Sequence, residues 1–241
     1  MGEAKVVAEQ KDSGRRLAVL DIDGTLTDTI PLHHAAFLAA MESFAFPNLD
    51  RNWAGYTHHT DTAIFEEAWQ RIHRINATLD QRAAFHARLE DEFARTSAGV
   101  TIREIAGAAT FVQALRDRGW AVVFATGGLR KLSRTKLAGI GIPFVEEILV
   151  TASEHVTREE LVAHAIIAAN KHSGFEAAEI ISIGDGIWDL KTAKALNLPF
   201  LGVGIGAKAD ELRDRGANVV PDFQDIPAVM AALDRSFSFE E

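Results

Sequence analysis

Short stretches of this chain are apolar almost without interruption, and each gives way to a glycine, an acid or a turn before helical spacing resumes. The candidates are Arg15–Asp23, Trp120–Ala125, Phe144–Val150, Glu179–Ile183, Phe200–Val203 and Asn218–Val220. A strand with one face in water alternates apolar and polar residues, whereas continuous apolar runs belong to strands covered on both faces. Helices are expected between them, around 107–118, 129–138, 157–171, 187–196 and 208–215. Gly119 and Gly139 stand where helices should end, and Thr157 and Glu160 have capping-box spacing. Strands alternating with helices point to a parallel sheet with helices on both faces.

The first strand is separated from the rest by a block of different texture. From Pro31 to Ile105 the pattern is helical throughout. Ile64, Ala68, Ile72 and Ile75 share one face, and Phe85, Leu89 and Phe93 recur at four-residue steps. Pro47-Asn48 should break the first helix, and "WAGYTHHTD" reads as a loop before the second. The simplest organisation is a polar tail over 1–14, an α/β core from 15–30 and 106–241, and a helical cap inserted over 31–105. A chain of 241 residues is long enough for a domain with such an insertion.

Net charge is −9, which argues against nucleic acid and anionic membrane as partners. No cysteine is present, so disulfides, thiolate nucleophiles and cysteine metal sites are excluded. No apolar run approaches the roughly 18 residues of a membrane span, and the N-terminal stretch does not read as a signal peptide. The expected setting is the cytoplasm.

Ligands of open parallel sheets bind beyond the carboxyl ends of the strands. Three of those ends carry chemistry. The first strand runs into Asp21-Ile22-Asp23-Gly24-Thr25, the second into Thr126-Gly127-Gly128, and the run "IISI" into Gly184-Asp185-Gly186, with Asp189 following. Side chains alternate along an extended segment, so Asp21 and Asp23 point the same way. Asp185 and Asp189 share a face if a helix begins there. Four converging carboxylates repel and shift one another's pKa. A hard divalent cation relieves that repulsion, and oxygen-only ligands suit magnesium. Thr126 offers a hydroxyl, while Gly127 and Gly128 let backbone N–H groups approach an anion. Each element alone is an ordinary turn or cap. Together they suggest phosphoryl transfer to an aspartate.

With these motifs in this order, the chain resembles the haloacid dehalogenase-like hydrolase superfamily. "DIDGTLTDT", "VVFATGG" and "IISIGDGIWDL" match its first, second and fourth motifs, and the helical block occupies the place of its type-1 cap. The resemblance implies an α/β fold: a Rossmann-like parallel sheet core with helices on both faces and an inserted α-helical cap domain. It implies Asp21 as nucleophile and Asp23 as the acid and base that protonates the leaving alcohol and then activates water. Asp185 would bind Mg2+ with Asp21 and the backbone carbonyl of Asp23, and Asp189 would be a further ligand or support. Thr126, with the Gly127 amide, would hold the transferring phosphoryl group. An aspartate at the second position resembles the phosphatases and phosphomutases. For the basic third motif, Arg158 stands where a basic residue ahead of a helix is expected; Arg130, Lys131 and Lys136 are the alternatives, which read more readily as solvated helix charges. His33 resembles a histidine found where the cap begins, and Thr25 and Gly128 are further candidates for substrate contact. His34 is expected to face solvent and Trp188 to serve packing; by the resemblance His58 and His59 lie on a cap loop facing the site, as substrate contacts or as solvated loop residues, but not as a metal site.

The leading expectation is a phosphatase acting on a small phosphorylated metabolite, phosphoglycolate-like or a sugar phosphate. A sugar phosphomutase of the same fold is the alternative; it needs a cationic cap residue for the second phosphate. A non-catalytic binding protein ranks lower, because the nucleophile and its companion acid are both present.

Overall fold

The computed structural model describes residues 15–44, 46 and 49–237. The expected tail over 1–14 and the helix break at Pro47-Asn48 lie outside the described residues. Six strands, β1 (Arg16–Leu20), β2 (Ala121–Thr126), β3 (Leu149–Thr151), β4 (Glu179–Gly184), β5 (Phe200–Val203) and β6 (Asn218–Val220), form one parallel sheet in the order β3-β2-β1-β4-β5-β6. The chain builds outward from β1 through β2 to β3, then crosses back to place β4 on the other side of β1. That reversal leaves a crevice at the carboxyl ends of β1 and β4.

Around the sheet pack α4 (Ala108–Asp117), α5 (Arg130–Gly139), α6 (Arg158–Ser173), α7 (Ile187–Ala195), α8 (Gly206–Asp214) and α9 (Ile226–Phe237). Leu17, Ala18, Val19 and Leu20 are all buried, as a strand covered on both faces requires. The expected strand over 144–150 is shorter. Val145, Glu146 and Glu147 are exposed, Glu146 pairs with Arg130 and Arg134, and a single 3-10 turn over Glu146–Ile148 precedes β3. Gly139 is the last residue of α5, where a Cβ would approach Ile102 to 3.0 Å; the left-handed residue is Gly141, at φ +71°. Helix α9 is not among the expected elements; its Val229, Ala232 and Leu233 cover the sheet.

Among the described residues, three α-helices lie between β1 and α4: α1 (Ile30–Glu42), α2 (Asp61–His73) and α3 (Leu79–Ser97). They share a second core of Phe37, Met41, Phe65, Phe85 and Phe93 that reaches Leu129, Leu132 and Ala152 on the sheet side. Ile64, Ala68, Phe85, Leu89 and Phe93 are buried as the spacing predicts, but Ile75 is exposed. Helix α2 stops at His73, where Arg74 turns into the left-handed region at φ 60°. Among the described residues no helix is long and apolar enough to cross a membrane.

Phe85 is fully buried and stacks on Phe65 with ring centroids 4.4 Å apart. Phe85→Ala is expected to lower unfolding free energy by about 3–5 kcal/mol, read from the midpoint of urea denaturation.

Candidate active site

The carboxyl ends of β1, β2 and β4 open into a cavity of about 510 Å³ whose lining includes Asp21, Asp23, Thr126, Gly127, Gly128, Arg158, Asp185 and Asp189. Asp21 and Asp185, which meet here, are 164 positions apart in the sequence. Their juxtaposition follows from β1 pairing directly with β4, and the pairing of β1 with β2 brings Thr126 beside them.

Asp21 continues the ladder, its N–H donating to Ile183 O at 3.0 Å, and its Oδ2 accepts from the Thr25 hydroxyl at 3.2 Å. Asp21, Asp185 and Asp189 each offer an oxygen within 4.8 Å of the others. Burial, and then the Asp189 charge, push the Asp21 carboxyl well above the ordinary carboxylate range. The same two causes raise Asp185 to about 6, although Lys208 lies 3.2 Å away. Gly24 makes this packing possible: it sits at φ +82°, and a Cβ there would lie 2.4 Å from Asp185 Oδ2. The donor set is all carboxylate and carries charge that the protein only partly neutralises, which fits a hard divalent cation.

Asp23 has a different environment. Of the four carboxylates expected to converge, three gather, and the side chain of Asp23 turns away from them. It accepts from the Thr29 hydroxyl and from Lys136 Nζ, both at 2.6 Å. Burial raises its pKa, but the Lys136 ammonium, the His33 ring and the two hydrogen bonds outweigh burial and lower it to about 2.

Lys136 corrects the sequence reading. It is not a solvated helix charge; its side chain is fully buried beneath Phe93, with Nζ 5.1 Å from the ring centroid. Its position carries a signal, since Leu132, Ser133, Lys136 and Leu137 all lie on the buried face of α5. The ammonium also donates to His33 Nδ1 at 2.7 Å, so the ring carries its proton on Nε2 and donates to Asp61 Oδ1 at 2.8 Å. Asp61, which no sequence motif marks, opens α2 and ties it to the sheet: its N–H donates to Gly127 O, and its Oδ2 accepts from Leu129 N.

Arg158 begins α6 and pairs with Asp189, while its Nε donates to His59 O at 2.9 Å. Burial opposes its charge, but Asp189 and Asp21 more than compensate and raise its pKa. Thr126 closes β2, buried, and accepts from Gly128 N at 3.3 Å, which leaves its hydroxyl proton free to donate. A Cβ at Gly127 would lie 2.7 Å from His59 O, so glycine is what lets the loop before α2 approach. His59 lines the cavity, stacked on Trp188 at 5.7 Å; burial and the nearby Arg158 lower it to about 4. Its neighbour His58 is 3.7 Å from Glu159 and is not part of the lining. His34 is exposed as expected, yet it stands at the cavity and accepts from the Trp53 indole N–H at 2.7 Å.

The profile of the haloacid dehalogenase-like hydrolases matches residues 16–197 of this chain. The chain belongs to that family. As a haloacid dehalogenase-like hydrolase it shares its fold with a Bacteroides vulgatus protein named as a candidate beta-phosphoglucomutase (TM-score 0.70, 22% identity, 94% of this chain and 91% of that one). A Pseudomonas syringae hydrolase is similar over 90% of this chain and 98% of its own, with TM-score 0.68 and 21% identity. CbbY of Rhodobacter sphaeroides, solved with phosphate, gives TM-score 0.65 at 16% identity over 88% of this chain and 96% of that one. No curated protein sequence matches this hydrolase.

Asp185 titrates near 6 when folded against 3.8 as a free side chain, so the folded state bears an ionisation cost that grows as pH rises from 4 past 6. In metal-free protein, Asp185→Asn is therefore expected to stabilise at pH 7.5 by on the order of 1–3 kcal/mol, and by less at pH 4.5. Thermal melts in chelator at both pH values check this, and equal gains would exclude the electrostatic origin.

Proposed function

We propose that this hydrolase is a magnesium-dependent phosphatase that cleaves a small phosphomonoester through an aspartyl-phosphate on Asp21. The observation that carries the reading is the division of the acids: Asp21, Asp185 and Asp189 gather, while Asp23 is held apart by Lys136 and Thr29. A carboxylate beside a cation site suits attack on phosphorus, and one beside a proton donor suits work on the leaving group.

Asp21 and Asp185, with the Asp23 carbonyl oxygen and with Asp189 behind them, would hold Mg2+, which would neutralise charge on the phosphate oxygens. Thr126 and the Gly127 amide orient the phosphoryl group, and Arg158 balances the acids around it. An Asp21 oxygen bonds to phosphorus as the bond from phosphorus to the ester oxygen breaks. The leaving oxygen takes a proton that the Asp23 carboxylate relays from the Lys136 ammonium, which leaves Asp23 ionised and Lys136 neutral. In the second step Asp23 draws a proton from water and returns it to Lys136. The water oxygen bonds to phosphorus, and the bond to Asp21 breaks, releasing phosphate.

A phosphomutase, the activity in the name of the Bacteroides vulgatus neighbour, would need a cationic cap residue facing the site. Cap arginines pair with their own carboxylates, Arg51 with Glu42, Arg71 with Glu67 and Arg82 with Glu66, and none of them lines the cavity. Hydrolysis is the better supported reading.

Phosphate release from a panel of phosphomonoesters, with and without magnesium, tests it. Release should require the metal, and Asp21→Asn should lower it by more than about a thousandfold. Isomerisation of a sugar phosphate without phosphate release would favour the mutase. Lys136→Met should cost alkyl phosphates about a hundredfold in kcat, and p-nitrophenyl phosphate much less, because p-nitrophenolate leaves without a proton.

A further inference from the structure

Building on the phosphatase reading, we infer that the preferred substrate carries a single phosphate on an alcohol with an apolar, ring-sized body. The cavity volume, about 510 Å³, exceeds what a phosphate alone requires and lies in the range of small-molecule sites. Its lining divides by chemistry. The acids, Thr126, the two glycines and Arg158 form a polar floor at the strand ends. The cap faces that floor with Phe37, Trp53 and Ile64, and α7 adds Trp188.

The aromatic wall is built rather than incidental. Phe37 and Trp53 meet edge to face at 5.4 Å, and the indole N–H of Trp53 is taken up by His34. The Phe37–Trp53 part of the wall thus offers apolar ring surface with the Trp53 indole N–H already engaged. Trp188 is fixed from both sides, by His59 stacked on it and by Lys191 with Nζ 3.8 Å from the ring centroid.

Charge on the lining points the same way. Both cations are committed, Arg158 to Asp189 and Lys208 to Asp185, and the cap contributes no lysine or arginine to the lining among the described residues. A second phosphate or a carboxylate on the substrate would lose its water against this wall without gaining a counter-charge. A sugar would bury several hydroxyls with few partners, since Thr60, His33 and Asp61 are already hydrogen-bonded and His34, Lys208 and Glu211 are solvent-exposed, which leaves the His59 ring. An apolar ring loses nothing by leaving water and packs on the aromatic faces. Trp53 is the residue that sets this preference.

The test compares benzyl phosphate, glucose 6-phosphate, phosphoglycolate and fructose 1,6-bisphosphate in magnesium, all with unactivated alcohol leaving groups. The kcat/KM of benzyl phosphate should exceed the others by roughly tenfold or more. Trp53→Ala should narrow the ratio of benzyl phosphate to phosphoglycolate about tenfold, mainly through KM, while Trp53→Phe keeps most of it. A higher kcat/KM for the sugar phosphate, the bisphosphate or phosphoglycolate overturns the inference and leaves the phosphatase standing. If none turns over, the phosphatase reading fails, and calorimetric titration of Asp21→Asn with the same four esters decides the inference. Tightest binding of benzyl phosphate supports it, and equal or weaker binding overturns it.

Discussion

Three carboxylates crowded where β1 and β4 end side by side repel one another, and much of the surrounding structure exists to hold them there. Arg158 and Lys208 supply opposite charge. Glycines supply room: a Cβ at Gly184 would lie 2.5 Å from the Asp189 side chain, and one at Gly24 would collide with Asp185. The Gly186 N–H donates to Asp189 Oδ2 at 3.0 Å, which fixes that carboxylate at the start of α7. The compensation is partial, since Asp21 and Asp185 both retain raised pKa values. A site left with uncompensated negative charge is a site prepared for a cation.

The same strand ends bind the helical block to the sheet. Thr60 donates its hydroxyl proton to Val156 O, Thr62 donates to Ala152 O, and the Asp61 N–H donates to Gly127 O. Each contact joins the first turn of α2 to a loop that follows β2 or β3. The loop carrying Thr126 and the glycines is therefore shaped from below by the strand and from above by α2. This double support positions backbone N–H groups more closely than a free glycine loop could.

Much of this is legible in the sequence where the signal is local. Apolar runs ending in Asp21, Thr126 and Asp185 mark both the strands and the candidate site, because a parallel strand buried on both faces is mostly apolar until it leaves the sheet, Ser182 within β4 being an exception. The signal weakens where packing decides the outcome. Phe144 and Val145 look like strand residues, yet Glu146 and Glu147 pull that segment to the surface. Ile75 fits a helical face but falls beyond the left-handed turn at Arg74. Lys136 misleads because a lysine is ordinarily solvated. Its burial is explained only by partners 113 and 103 residues away, Asp23 and His33.

Those long-range partners form one continuous path. Asp23 bonds to Lys136, Lys136 to His33 on α1, His33 to Asp61 on α2, and Asp61 to the N–H of Leu129 beside the Thr126 loop. The path leaves the β1 loop, passes through both helices that roof the cavity, and returns to the β2 loop. A buried ammonium needs all of its acceptors, because an unpaired charge in this environment is costly. The arrangement of Lys136 thus ties the orientation of Asp23 to the placement of α1 and α2. In the phosphatase reading, the proton-handling carboxylate and the roof of the substrate cavity are set by the same bonds, so neither can be displaced without disturbing the other.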